Sequence, residues 1–313
     1  MVLEEKIVIS NDINIGATVA YQDKKEKRPV VLLIGGTGSL DRDGNGLGFK
    51  SNMYKELSDM FVEMGYVCIR YDKRGTHESK GKGISLGLSD LVNDAANIVH
   101  YVKKLDYVDE GRVVICGHSE GAMIATLLTK NTELNLKGII LLAGACTSLK
   151  EAMLYQNYLV LEQVKDMKGL LGWFLRKVIK RESIETQVED LFTKAEKSKR
   201  DMFFYKGSLI PTKYMLEHGA LSNEDYIEMI KDYDGKVLAI TGKSDVQADY
   251  RVLDEISSLD GVTIYAPEQV NHVLRDVDGD SDIMNVKKEY QLSFKKSISS
   301  KLKKSIKDWS CNI

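Results

Sequence analysis

Cysteine is sparse and scattered in this 313-residue chain. Cys68, Cys116, Cys146 and Cys311 form no C-x-x-C pair and no spacing suited to a zinc site. Cys68 and Cys116 fall inside apolar runs and read as buried free thiols, in keeping with a reducing compartment. Charge of one sign is also lacking: the formal net charge of −2 gives no reason to expect a nucleic-acid partner. No apolar run approaches the ~20 residues of a membrane-spanning helix, so no integral membrane segment is expected. Met1-Val2-Leu3-Glu4-Glu5-Lys6 has neither the basic start nor the apolar core of a secretory signal, and the expected location is cytoplasmic. Gly35-Gly36-Thr37-Gly38 is glycine-rich but lacks the lysine and Ser/Thr of a Walker motif, and no G-x-G-x-x-G opens a helix there. No cofactor and no metal are therefore expected.

What is present is the balance of a globular protein, 43% apolar and 29% charged, with enough chain for one sizeable core plus an insertion. Lys6 to Ser10 and Ile13 to Tyr21 read as strands around an Asn11-Asp12 turn. Apolar strands and helical patterns then alternate. The strand runs are Pro29 to Ile34, Tyr66 to Tyr71, Arg112 to Cys116, Gly138 to Ala143, Lys236 to Thr241 and Val262 to Tyr265. Tyr54 to Met64 and Leu88 to Leu105 are helical, the latter with Leu91, Ala95, Ile98 and Val102 on one stripe. The alternation predicts an α/β fold, a mostly parallel sheet with helices on both faces.

Between about Cys146 and Tyr233 the strand rhythm stops. This stretch is helical in pattern and rich in large apolar residues, including Trp173, Phe174, Phe203, Phe204 and Tyr205. The expectation is a core built from residues 1–146 and 233–313, with residues 147–232 inserted as a helical cap over the sheet's ligand-binding edge. The final helix carries Val286, Tyr290, Phe294, Ile298, Leu302 and Ile306 at steps of four beside many lysines. Docking of that stripe on its own domain is the preferred reading over a membrane surface.

The most informative segment is Gly117-His118-Ser119-Glu120-Gly121, which follows a strand and precedes the helical run Ala122 to Leu128. Strand, G-x-S-x-G, helix is the context of a nucleophile elbow, which presents Ser119 on a strained turn. Gly117 and Gly121 are needed there because a Cβ would crowd the strand–helix approach. A serine hydroxyl needs a base. Of His77, His100, His118, His218 and His272, only His272 sits on a loop after the last strand, able to reach the elbow. The imidazole needs a carboxylate to fix its tautomer. Asp245, at the end of the preceding strand, is preferred, with Asp249 as competitor. An oxyanion hole would use the backbone N–H of Glu120 and a second donor from the Gly35 to Gly38 loop, Thr37 or alternatively Gly36.

On these motifs the chain resembles the α/β-hydrolase superfamily, and within it bacterial serine hydrolases of the carboxylesterase kind. The resemblance runs from about Pro29 to about Arg275. Gly35 to Gly44, with its Asp41-Arg42-Asp43-Gly44 continuation, looks like the group's oxyanion loop, and Arg70 to Gly75 resembles its strand-end turn. Gly117 to Gly121, Gly242 to Asp245 and Asn271-His272 match its nucleophile, acid and base motifs. Two departures stand out: Gly35-Gly36 where the superfamily often has His-Gly, and His77 where a glycine is usual, the latter read as a turn residue. The resemblance implies an α/β-hydrolase fold with an inserted helical cap. It also implies cleavage of small or medium acyl esters through an acyl-enzyme on Ser119, the small-molecule ester being the one partner expected. Thioester hydrolysis, acyl transfer or peptide cleavage by the same residues is the alternative reading, and a non-catalytic binding protein the remotest.

Overall fold

The computed structural model describes residues 1–81, 83–279, 281–311 and 313. An eight-stranded sheet forms the centre. Its first three strands are β1 (Leu3–Ser10), β2 (Asn14–Tyr21) and β3 (Arg28–Ile34), followed by helix α1 (Met53–Glu63) and β4 (Val67–Tyr71). Next come α2 (Leu88–Val102), β5 (Val108–His118), α3 (Glu120–Leu128) and β6 (Leu136–Leu142). An insertion then carries α4 (Leu149–Asp166), α5 (Gly169–Val178), α6 (Arg181–Lys197), a hairpin of β7 (Met202–Tyr205) and β8 (Ser208–Pro211), α7 (Thr212–Gly219) and α8 (Asn223–Lys231). Strands β9 (Lys236–Ile240) and β10 (Val262–Tyr265) complete the sheet, and α9 (Val286–Ser293) and α10 (Ser300–Ser310) close the chain.

The strand order is β1-β2-β4-β3-β5-β6-β9-β10. Strand β1 pairs antiparallel with β2, and β2 antiparallel with β4; the pairings from β4 through β10 are parallel. Central strands buried on both faces must be apolar at every position, and β3 shows why. Val30, Leu32 and Ile34 point into one core, packed beneath α2, α3 and α8; Val31 and Leu33 point into the other, beneath α1 and α10. The predicted stripe Leu91, Ala95, Ile98, Val102 of α2 is buried in the first of these.

Two expectations need correction. The stretch containing Phe203, Phe204 and Tyr205 is not helical but a two-stranded hairpin, Met202 opposite Pro211. Its turn is Lys206-Gly207, both at positive φ (45° and 88°), the geometry that matches the twist of a tight hairpin. The C-terminal stripe is not one helix but two. Between them, the chain at Ile298 bridges to Arg275, Ser299 N–H donates to the Leu274 carbonyl at 2.9 Å, and Glu56 accepts the Ile298 N–H at 3.0 Å. These competing partners outbid the helix for its backbone groups. The preferred docking of that segment does hold: Leu302, Ile306 and Trp309 are buried on the sheet.

Within the insertion, Val188, Leu191, Phe192, Ala195, Phe203, Tyr205 and Met215 form a small apolar cluster of their own. Its last helix, α8, instead places Tyr226 and Ile230 in the sheet's core. Among the described residues, no helix is long and apolar enough to cross a membrane.

Candidate active site

Parallel strands bring the loops that follow them to one edge, where ligands bind in open α/β sheets. At that edge β5 ends at His118, Ser119 adopts φ 56° and ψ −121°, and α3 starts at Glu120. A side-chain-bearing residue at positive φ is strained, and such strain persists only where surroundings impose it. They do. A Cβ on Gly117 would sit 2.0 Å from the Gly121 carbonyl oxygen, and one on Gly121 would sit 2.1 Å from that of Ile34. Both glycines are therefore required by close approach, as expected from the motif. The Ser119 N–H is anchored on the Leu142 carbonyl of β6 at 2.8 Å.

His272, on the loop after β10, turns its Nδ1 to the Asp245 carboxylate, 2.9 Å from Oδ2 and 3.1 Å from Oδ1. Asp245 is buried and also accepts the N–H groups of Gln247 and Ala248 at 2.7 and 2.9 Å. Asp249 is elsewhere: it caps the turn that follows and pairs with Arg251. Ser119 and His272 line one cavity of about 470 Å³, within the size range of small-molecule sites. Its walls are largely apolar, with Leu40, Phe49, Met123, Leu149, Met153 and Phe294, and with Gln156, Gln247 and Tyr290 as polar points. Ser119 Oγ makes no hydrogen bond among the described residues.

The two candidates for the second N–H donor separate on their partners. The Gly36 N–H donates to the Tyr54 hydroxyl at 2.7 Å and is committed. The Gly36 carbonyl accepts from Lys73 Nζ at 2.8 Å. In a trans peptide the N–H points opposite to the carbonyl, so this bond turns the Thr37 N–H away from Lys73. Both Thr37 and Glu120 line the cavity, and neither N–H has a partner among the described residues.

Three features escaped the sequence. His118, the second residue of the elbow, accepts at Nδ1 from the Tyr54 hydroxyl (3.1 Å) and donates from Nε2 to the His272 carbonyl (2.8 Å). One buried ring thus ties the Gly35 to Gly38 loop, through Tyr54, to the His272 loop. Burial and the neighbouring His272 push its pKa down to about 3, so it is neutral, as these hydrogen bonds require. Second, the Glu120 side chain is buried against Lys73 and the Tyr214 hydroxyl of α7, with His218 Nε2 at 3.6 Å. Burial alone would raise its pKa; Lys73, with His218 and Tyr214, holds it well below the ordinary carboxylate range. Third, Tyr155 of α4 donates to the Asp245 carbonyl at 3.1 Å, joining the insertion to the Asp245 loop. Tyr54, Tyr155 and Tyr214 carry no local motif, and the lone hint at Lys73 was its place in a strand-end turn. His77 lies exposed in a turn at φ 44°, as read.

The family model described as Hydrolase_4, serine aminopeptidase S33, matches residues 44–220, more than half of the chain. This protein belongs to the Hydrolase_4 family. A curated relative of this Hydrolase_4 chain, the quorum-quenching protein AidA of Acinetobacter baumannii, is 26% identical over 125 residues. That match spans 39% of this chain and 38% of the relative's length. Among solved structures, Est1E from Butyrivibrio proteoclasticus with bound ferulic acid superposes with a TM-score of 0.57 at 17% identity, covering 91% of this chain and 96% of that one. A thioesterase domain from the curacin biosynthetic pathway gives 0.53 at 16% identity, covering 87% and 94%. At these identities the structural likenesses establish the α/β-hydrolase fold alone.

Two outcomes follow from the buried groups. Lys73→Met leaves Glu120 charged and unpaired, and thermal or denaturant unfolding should show roughly 3–5 kcal/mol lost, with much of it regained in Lys73→Met/Glu120→Gln. No rescue by the second substitution would contradict the pairing. For His118, the unfolded chain takes up a proton near pH 6.5 but the folded chain only near pH 3. Stability therefore falls as pH drops through that window, by up to about 1.4 kcal/mol per pH unit beyond the slope of His118→Asn. Equal slopes in the two proteins would show that His118 is not held neutral.

Proposed function

We propose that this hydrolase-family protein is a serine hydrolase cleaving small or medium carboxylic esters, with Ser119 as nucleophile, His272 as base and Asp245 as its orienting carboxylate. The observation that carries the reading is a conjunction in one cavity. A strained Ser119, the buried His272–Asp245 pair, and two unpartnered N–H groups at Thr37 and Glu120 meet there. Residues 147–232 are proposed as the cap, since Leu149, Ala152, Met153 and Gln156 of α4 form part of the cavity wall.

In the proposed mechanism, substrate entry brings Ser119 Oγ and His272 Nε2 into hydrogen-bond contact, a step that resting geometries often leave unmade. His272 accepts the serine proton as Oγ attacks the acyl carbon. Negative charge develops on the carbonyl oxygen, and the N–H groups of Thr37 and Glu120 receive it. Protonated His272, stabilised by Asp245, then gives its proton to the leaving alcohol, and the acyl group stays on Ser119. Water attacks the acyl-enzyme with His272 again as base, which releases the acid. Lys73 has a supporting role: it neutralises Glu120, whose bare carboxylate beside the developing oxyanion would oppose it.

The lining favours esters over peptides with a free amino terminus. A cationic amine calls for an unpaired carboxylate, and Glu120, which lines the cavity, is already paired with Lys73. Thioester hydrolysis or acyl transfer would use the same groups. The basic stretches Arg176 to Arg181 and Lys194 to Arg200 of the insertion favour an acidic acyl carrier under that second reading.

Hydrolysis of p-nitrophenyl esters of graded acyl length tests the proposal. Ser119→Ala should lower turnover by several orders of magnitude with the fold intact, and Asp245→Asn by about 10⁴, through the wrong histidine tautomer. Serine-independent turnover would refute the nucleophile assignment, and near-normal activity of Asp245→Asn would refute the acid. Turnover on acyl thioesters with none on oxygen esters would move the reading to thioesterase.

A further inference from the structure

Helix α5 leaves its large apolar residues in water. Amphipathic surface helices turn apolar residues inward and polar residues to water. Here Gly172 is the one buried residue, and Arg176, itself exposed, donates to the carbonyls of Val164, Lys165 and Met167 at the end of α4. The outer face carries Leu170, Leu171, Trp173, Phe174 and Val178, each between 54% and 86% exposed. Fourteen large apolar residues are exposed among the described residues, and five of them belong to this ten-residue helix. Isolated exposed apolar side chains are ordinary, but a contiguous set marks an interaction surface.

The charges around the face identify what covers it. Between residues 165 and 181 the cations are Lys165, Lys168, Arg176, Lys177, Lys180 and Arg181, and the sole anion is Asp166. Lys165 and Arg181 are paired with Glu162 and Glu185. Lys168 and Lys180 flank the helix exposed, and Lys177 lies over the Trp173 ring, 3.9 Å from its centroid. Apolar and aromatic side chains bordered by free lysines are the composition of a helix lying in the interface of an anionic lipid layer. A second copy of the chain fits less well. Ten residues of helix, about 15 Å long, offer on the order of a few hundred Å², short of the ~800 Å² per partner of a stable protein interface.

We infer that α5 docks this protein peripherally on an anionic lipid surface, through insertion of Leu170, Trp173, Phe174 and their neighbours. This interaction is independent of the hydrolytic chemistry. It would nevertheless set the cavity beside the lipid, because α5 packs on α4, which forms one cavity wall.

The chain has two tryptophans, and Trp309 is buried in the sheet's core. In Trp309→Phe, Trp173 becomes the one reporter. Its emission should shift to the blue on vesicles of phosphatidylcholine with phosphatidylglycerol. Wild-type protein should co-sediment with the same vesicles at least about tenfold more tightly than with phosphatidylcholine alone, and less so in high salt. Leu170→Gln/Phe174→Gln should abolish co-sedimentation while leaving the thermal unfolding midpoint near that of wild type. The inference is overturned if wild type fails to co-sediment, if both vesicle types bind it equally, or if the double variant binds as wild type does. A lipid-free dimer dispersed by the double variant would overturn it too, giving the face to a second copy.

Discussion

The close approach of β5, α3 and β3 at the elbow is the constraint on which the rest of the site depends. Two positions without side chains allow it: a Cβ at Gly117 or Gly121 would lie 2.0 or 2.1 Å from a carbonyl oxygen, far inside van der Waals contact. Because those elements close on one another, Ser119 cannot relax from its positive φ, and its side chain stays at the tip of the sheet. The same closure sets the start of α3 at the cavity, which Glu120 lines, and a helix N-terminus favours negative charge. The placement of Ser119, the proposed nucleophile, and one half of the proposed oxyanion site thus have a single steric origin.

Around the elbow, buried polar groups fix loops that backbone pairing alone would leave loose. His118 joins Tyr54 to the His272 loop, and Tyr54 holds the Gly36 N–H. Lys73 grips the Gly36 carbonyl from the other side and neutralises Glu120. A network of this kind is costly when half-satisfied and rigidifying when complete. With the Gly36 N–H engaged by Tyr54, Thr37 is the one of the two candidate donors whose N–H is free among the described residues. The insertion is tied into the same network, through Tyr214 on Glu120 and Tyr155 on the Asp245 backbone. Motion of the insertion would therefore be felt at both the Ser119 turn and the Asp245 loop.

Much of this was legible in the chain. Continuous apolar runs such as Val30 to Ile34 announce strands covered on both faces, and the stripe from Leu91 to Val102 announces its helix, because burial sets those patterns directly. The elbow was legible because its glycines answer to a local steric need. The hairpin at 202–211 was not, since Phe203-Phe204-Tyr205 suits a strand or a buried helix, and only Lys206-Gly207 marks the turn. The break between α9 and α10 depends on Glu56 and Leu274, distant in sequence, and no periodicity reveals it. Tyr54, Lys73 and Tyr214 were illegible for the same reason: their partners are 18 to 94 residues away.

The central claim is that Ser119 is a nucleophile activated by His272. Intact-mass spectrometry after exposure to a fluorophosphonate tests it without knowledge of the substrate. The account predicts one adduct on the wild-type chain, located at Ser119, absent from Ser119→Ala and strongly slowed in His272→Ala. A folded wild-type protein that takes up no label, or labels equally without Ser119, would contradict the claim and return the fold to a non-catalytic binding role.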